Sequence, residues 1–186
     1  MHELLFLVQT LGELAVSVFL LRMLFQMIRT DFRNPLVQAI VRLTNPAILP
    51  LRKVLPSIGG LDSASIAAVW VAEATLWSAL HWLSTGNAPS VALVVASSVM
   101  EIVRATLSIY LLATFGYIIL SWVAPSGSSP AGQVVGDLTG PLLRRLRQAI
   151  PVMGGLDLSP MALILLIYLA QMILNERIRP LLIGLE

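Results

Sequence analysis

The residues able to do chemistry in this chain are few, and the clearest of them recur in pairs. Arg52 and Asp62 stand ten residues apart, and Arg147 and Asp157 repeat both types at the same spacing. A guanidinium and a carboxylate so placed can form a polar site or docking surface. An Asp ahead of an apolar run can instead cap the next helix by accepting backbone N–H bonds. Both readings stay open for Asp62 and Asp157. A second set, Glu13, Arg22, Glu73, Glu101 and Arg104, falls with His81 inside strongly apolar stretches. An ionised side chain at the centre of a bilayer costs about 2.5–3.5 kcal/mol on insertion scales, so each needs a partner or water. Glu101 and Arg104 are three apart on one helix and can pair directly. Glu13 and Arg22 are nine apart, roughly half a turn out of phase, and face different neighbours. Either these five residues form an interhelical polar network lining a path for ions or protons, or they lock helices together and snorkel to the interface.

Much chemistry is excluded. The chain has no cysteine and two histidines, His2 and His81, far apart and without a flanking cluster of metal-ligand spacing. Disulfides and thiolate sites are ruled out, and neither a metal nor a cofactor is expected. No Walker loop, G-x-S-x-G elbow or H-E-x-x-H pair occurs, so no catalytic residue is assigned and no enzymatic activity is expected.

The elements that must position these residues are dictated by hydropathy. Hydrophobic residues make up 57% of the 186 and charged residues 12%, about half the charged share of a soluble domain. A membrane span needs about 20 mostly apolar helical residues. The stretches 4–28, 65–83, 91–122 and 160–178 meet that length, with a short Gly/Asn/Pro turn at 84–89 between the second and third. The third is longer than a bilayer needs and is expected to tilt strongly or to begin outside the core. Met1-His2-Glu3 is not a basic n-region and no small-residue cleavage site follows, so the first stretch reads as a retained span. Gly12, Ala15, Ser108 and Gly116 suit close helix packing, and Trp77, Trp82 and Trp122 suit interfacial anchoring.

The long connections, 30–64 and 123–159, are copies of each other. At a constant offset of 95 residues, 12 of the 28 positions from Pro35 to Asp62 are identical, including Pro46/Pro141, Arg52/Arg147, Pro56/Pro151, Gly59/Gly154, Gly60/Gly155 and Asp62/Asp157. The expected organisation is all-α, four transmembrane helices in two parallel tandem repeats, 1–86 and 87–186, each a span, an interfacial amphipathic hairpin and a second span. With two spans per copy, both hairpins fall on one side of the membrane. Eight of the twelve basic residues lie in them or at their edge: Arg29, just before the first, then Arg33, Arg42, Arg52 and Lys53, and Arg144, Arg145 and Arg147. The positive-inside rule makes that side cytoplasmic and leaves both termini outside, with Arg177 and Arg179 counting against it.

Within each hairpin a short basic amphipathic helix is expected in the interface plane. Leu142, Leu143, Leu146 and Ile150 share one face of the second, against Arg144, Arg145, Arg147 and Gln148; Ile48, Leu49, Leu51 and Leu55 serve in the first. The leucines are expected to face acyl chains and the cations headgroups. Pro46 and Pro141 suit the first turn of these helices, Pro56 and Pro151 stop them, and the paired glycines then permit a tight turn into the Asp.

The run from Asn34 to Asp62, N-P-x(8)-T-N-P-x(3)-P-L-R-K-V-L-P-S-I-G-G-L-D, and the run T-G-P-L-L-R-R-L-R-Q-A-I-P-V-M-G-G-L-D-L-S-P from Thr139 to Pro160 resemble the YggT family of small bacterial and plastid membrane proteins, also called YlmG in plastids and cyanobacteria. The resemblance covers essentially the whole chain in a two-copy form. The first copy departs from the D-L-S-P ending, with Asp62-Ser63-Ala64-Ser65, and Gln148 replaces a basic residue in the second, so the halves are not equivalent. The resemblance implies a protein of the bacterial inner membrane without established catalytic activity. It also carries the family's associations with osmotic or ion-stress tolerance, with membrane and nucleoid organisation and with maturation of a plastid cytochrome.

The expected function is therefore non-enzymatic. Basic hairpins, through Arg42, Arg52, Lys53, Arg144, Arg145 and Arg147, contact anionic lipid headgroups or partner proteins in membrane organisation or assembly. Headgroups are nearer partners for these cations than nucleic acid. The alternative is a small ion channel or transporter working as a homo-oligomer, since four helices enclose little pore alone.

Overall fold

In the computed structural model, residues 2–57, 62–123, 129–150 and 157–180 are described, and their regular structure is entirely helical. The order is α1 (His2–Ile28), α2 (Pro35–Val54), α3 (Ser63–Thr85), α4 (Val91–Val123), α5 (Pro130–Ala149) and α6 (Ser159–Ile173), which continues through a π-helical turn, Leu174–Ile178. α1, α3, α4 and α6 with its π turn are long and apolar enough to cross a membrane. Their outer faces carry apolar side chains such as Leu7 and Leu11 on α1, Val99 and Val103 on α4, and Met161 and Leu165 on α6.

Helix ends follow from local chemistry. α1 closes with a Schellman motif, in which Thr30 N–H bonds the Phe25 carbonyl at 3.0 Å and Arg29 N–H bonds that of Gln26 at 3.3 Å. The left-handed residue this requires is Arg29, φ 56°, where glycine is the usual choice. α3 ends at Gly86, φ 76°, which sends the chain through the 84–89 turn into α4. Asn34 and Ser129 cap α2 and α5, accepting from Leu36 N–H and Gly132 N–H, with Pro35 and Pro130 opening each helix.

These caps correct the expected hairpins. α2 and α5 are 20-residue helices that begin well before Pro46 and Pro141, which lie in their interiors with Pro50. An interior proline leaves the carbonyl four residues earlier without its helical donor. Here those carbonyls belong to Arg42, Pro46 and Asp137, all exposed residues where outside donors can reach them. Pro56 does lie just beyond α2. Pro151, Gly59, Gly60, Gly154 and Gly155 fall outside the described residues.

The core gathers where α2 and α5 cross the end of the bundle at which α1 and α4 finish. Val37 of α2 and Val134 and Leu138 of α5 pack with Leu20, Leu24 and Phe25 of α1, Val69 of α3 and Ala113 of α4. Ile48 is buried against Ala64 and Ala68 of α3, and Leu143, its counterpart at the 95-residue offset, against Leu163 and Ile167 of α6. The two short helices meet at their starts, where the buried Asn34 amide donates to the Pro130 carbonyl at 2.8 Å and to Gln133 Oε1 at 3.2 Å.

Candidate functional site: a clamped basic face and a central cleft

α2 and α5 each bury one stripe and expose another. Val37, Thr44 and Ile48, then Val134, Leu138, Thr139 and Leu143, are turned into the protein. Leu142, Leu146 and Ile150 are partly covered beside them. The expectation that the leucines face acyl chains is thus corrected for the buried stripe, which is consumed by helix packing; Leu49, placed in that stripe by its spacing, is instead exposed. Arg42, Lys53, Arg144 and Arg145 are exposed, as are Arg52 and Arg147.

Arg52 and Arg147 are already engaged. Arg52 Nη2 lies 2.7 Å from Asp62 Oδ2 and its Nε 3.2 Å, while Arg147 Nη2 lies 2.8 Å from Asp157 Oδ2 and its Nε 2.9 Å. Each fork ties the end of a short helix to the start of the next span, α2 to α3 and α5 to α6. Asp62 gives no side-chain cap to the backbone but accepts from Ser65 Oγ at 2.5 Å; Asp157 does accept from Ser159 N–H, at 3.0 Å. Asp157 thus also bonds the backbone of the helix it precedes, which Asp62 does not. Tyr117 Oη adds a bond to Arg147 Nη2 at 3.0 Å.

These bonds set the carboxylate acidities. Partial burial is the largest influence on both groups and favours protonation. It is outweighed at Asp62 by the bonds from Arg52 and Ser65, and at Asp157 by the Ser159 N–H and then Arg147, so both pKa values are lowered. A carboxyl depressed in the folded chain contributes stability above its unfolded pKa, about 3.9, and loses it as pH falls through the folded value. Thermal melts should therefore shift downward on acidification below about pH 4. The shift should be smaller in the Asp62→Asn/Asp157→Asn double variant; superimposable acid profiles would show that the clamps contribute nothing.

The charges within the long helices separate into two places. Arg22, 2% exposed, leaves the acidic residues and turns to α2, where its Nη1 donates to the Val41 carbonyl at 3.0 Å, Thr44 Oγ1 at 2.7 Å and Asn45 Oδ1 at 2.8 Å. Glu13, Glu73, Glu101 and Arg104 line one cleft of about 1250 Å³ between α1, α3 and α4, with Leu36 and Ile40 of α2 and Val134 and Leu138 of α5 at its floor. Glu101 and Arg104 pair at 3.5 Å, and Glu13 Oε1 accepts from Gln9 Nε2 at 2.8 Å. The expected five-residue network is thus four residues around a cleft and one buried anchor elsewhere. Trp77 also lines the cleft, stacked on His81 at 5.0 Å between ring centroids, whereas Trp82 and Trp122 are exposed.

Charge patterning could not reveal the acceptors of Arg22, because Thr44, Asn45 and a carbonyl carry no charge. The Asn34 link had a faint signal in the N-P start of α2. Gly12 lies against Leu76 of α3, Gly116 faces Val135 of α5, and Ser108 accepts from Gln171 at 3.2 Å, giving three of the four small residues a packing role; Ala15 is exposed. Among the described residues no group of three or more His, Cys, Asp or Glu side chains is placed to hold a metal ion.

Comparison with known proteins bears on the same regions. The CCB3/YggT family model matches twice, over residues 1–83 and 96–178, a displacement equal to the 95-residue offset of the motif. The chain is 36% identical over 169 residues to the uncharacterized protein PA0392 of Pseudomonas aeruginosa, covering 90% of this chain and 86% of that one. It is 36% identical over 181 residues to the uncharacterized protein YggT of Escherichia coli K12, covering 92% and 89%. A protein of Haemophilus influenzae is 27% identical over 156 residues. No solved structure matches. Two matched segments that together cover most of the chain, and relatives aligned over most of both chains, place this protein in the CCB3/YggT family.

Proposed function

We propose that this is a non-enzymatic, multi-pass protein of the bacterial inner membrane, whose α2 and α5 lie at the cytoplasmic face and hold anionic lipid headgroups there in support of membrane organisation or assembly. The observation that carries this reading is the state of the two short helices. Their buried stripes pack into the protein and their Arg–Asp forks fix their ends, while Arg42, Lys53, Arg144 and Arg145 remain exposed. The apolar exteriors of α1, α3, α4 and α6 support insertion in a bilayer. The repeat units are 1–86 and 87–186, and the excess of cations in their hairpins supports a cytoplasmic position for α2 and α5, with both termini in the periplasm.

Each exposed Lys or Arg near an anionic surface contributes about 1 kcal/mol. Native mass spectrometry of the purified chain should therefore show phosphatidylglycerol or cardiolipin retained over phosphatidylethanolamine. Retention should fall by at least about tenfold in the Arg42→Gln/Lys53→Gln/Arg144→Gln/Arg145→Gln variant. Unchanged lipid retention would reject headgroup binding, and loss of a co-purified protein instead would favour a protein partner. A second reading, a small oligomeric channel or transporter linked to osmotic or ion stress, is favoured by the acidic cleft.

A further inference from the structure

Glu73 has no use in the headgroup reading. It is 6% exposed and lines the central cleft, and no hydrogen bond or ion pair reaches it from the described residues. Glu13 and Glu101 stand around the same space on the two other walls. α1 begins, α3 ends and α4 begins at one end of the bundle, and all three carboxylates lie about 15–18 Å from that end at 1.5 Å per residue. That is about half the hydrocarbon thickness of a bilayer. Arg104 of α4 pairs with Glu101; His81 on α3 and Arg179 beyond the π turn also face the cleft, and α2 and α5 give it only uncharged side chains. Three carboxylates thus meet one guanidinium at mid-depth.

A carboxylate in that setting is neutralised by a proton or by a cation. We propose that the cleft is a binding site for a lipophilic organic cation, an ammonium or phosphonium with apolar substituents, which takes the place of the proton on Glu73. The Glu73 O–H bond breaks, its proton leaves to water, and the carboxylate keeps the electron pair and holds the cation without a covalent bond.

Three features choose this class over a metal ion. Among the described residues no three His, Cys, Asp or Glu side chains are grouped to hold a bare metal ion. The cleft, about 1250 Å³, suits a drug-sized ligand. Its walls offer Trp77, whose ring face attracts cations, beside Leu76, Leu80 and Ile109. Packing of the repeat does not require the acids, because the counterparts of Glu13, Glu73 and Glu101 at the 95-residue offset are Ser108, Tyr168 and Phe6. The site is independent of the basic face, so either can fail alone.

The test uses the full chain in phosphatidylcholine nanodiscs, with tetraphenylphosphonium as probe and tetraphenylborate as its anion of like shape. The cation should bind saturably and the anion should not. Affinity should fall as pH is lowered from about 9 to about 5, with proton release on binding in the range where the carboxyl is protonated. Glu73→Gln, which removes the charge and keeps the size, should weaken binding by more than about tenfold and abolish the release. Glu73→Asp, which keeps the charge, should bind more weakly and retain the pH dependence, and it decides the matter if the Gln variant does not fold. Equal binding of both ions, wild-type affinity in Glu73→Gln, pH-independent binding in Glu73→Asp, or no saturable cation binding would overturn the proposal.

Discussion

Replacing Arg22 with alanine is expected to lower the stability of the folded chain by about 2 kcal/mol. One nitrogen of this guanidinium serves three acceptors on α2, and the side chain is almost wholly enclosed. If α1 crosses a bilayer, as its length and apolarity allow, the alternative to these bonds is hydrocarbon or a strained reach to the interface, and docking of α2 solvates the charge. Thr44 keeps its bond to the Ile40 carbonyl at 2.7 Å after truncation, but Asn45 Oδ1 loses its donor. Arg22→Lys should recover part of the loss, since one ammonium can meet some of the same acceptors. Thermal unfolding in mild detergent reads the effect, and a wild-type midpoint for Arg22→Ala would show that α2 is held by apolar packing alone.

A second large effect is expected where α1 and α3 approach most closely. A Cβ added at Gly12 would overlap the Leu76 side chain, crowding its Cγ as well as both methyl groups. The end of a leucine can swing aside for one methyl group, so Gly12→Ala should be mild. Gly12→Leu puts a whole side chain into a filled space and should cost about 1–3 kcal/mol, the usual penalty for overpacking. Leu76→Ala in the same molecule should restore most of it, because the two positions share one volume. Purely additive effects in the double variant would place the defect elsewhere.

The four long helices are legible in the sequence because a span is set by length and hydropathy, both local quantities. The Arg52/Asp62 and Arg147/Asp157 clamps are legible as a recurring ten-residue spacing, and the structure supplies the bonds. The extent of α2 and α5 is not. Pro46 and Pro141 resemble helix-opening prolines, but Pro35 and Pro130, each after a capping side chain, occupy that role. The separation of Arg22 from the acidic residues is also hidden, since it depends on which neighbour each face of α1 meets. The common depth of Glu13, Glu73 and Glu101 could be counted along the chain, whereas their convergence on one space needed the packing of three helices.

The meeting of α2 and α5 at Asn34 gives the cleft a direction. The apolar starts of these helices line one end of it, while exposed side chains of α1 and α4, Leu14, Leu112 and Ile119 among them, line its flank. α2 and α5, one from each segment that the family model matches, are joined there by the amide of one side chain, Asn34, on Pro130 and Gln133. The firmness of that end of the cleft thus rests in part on a single amide shared by both matched segments.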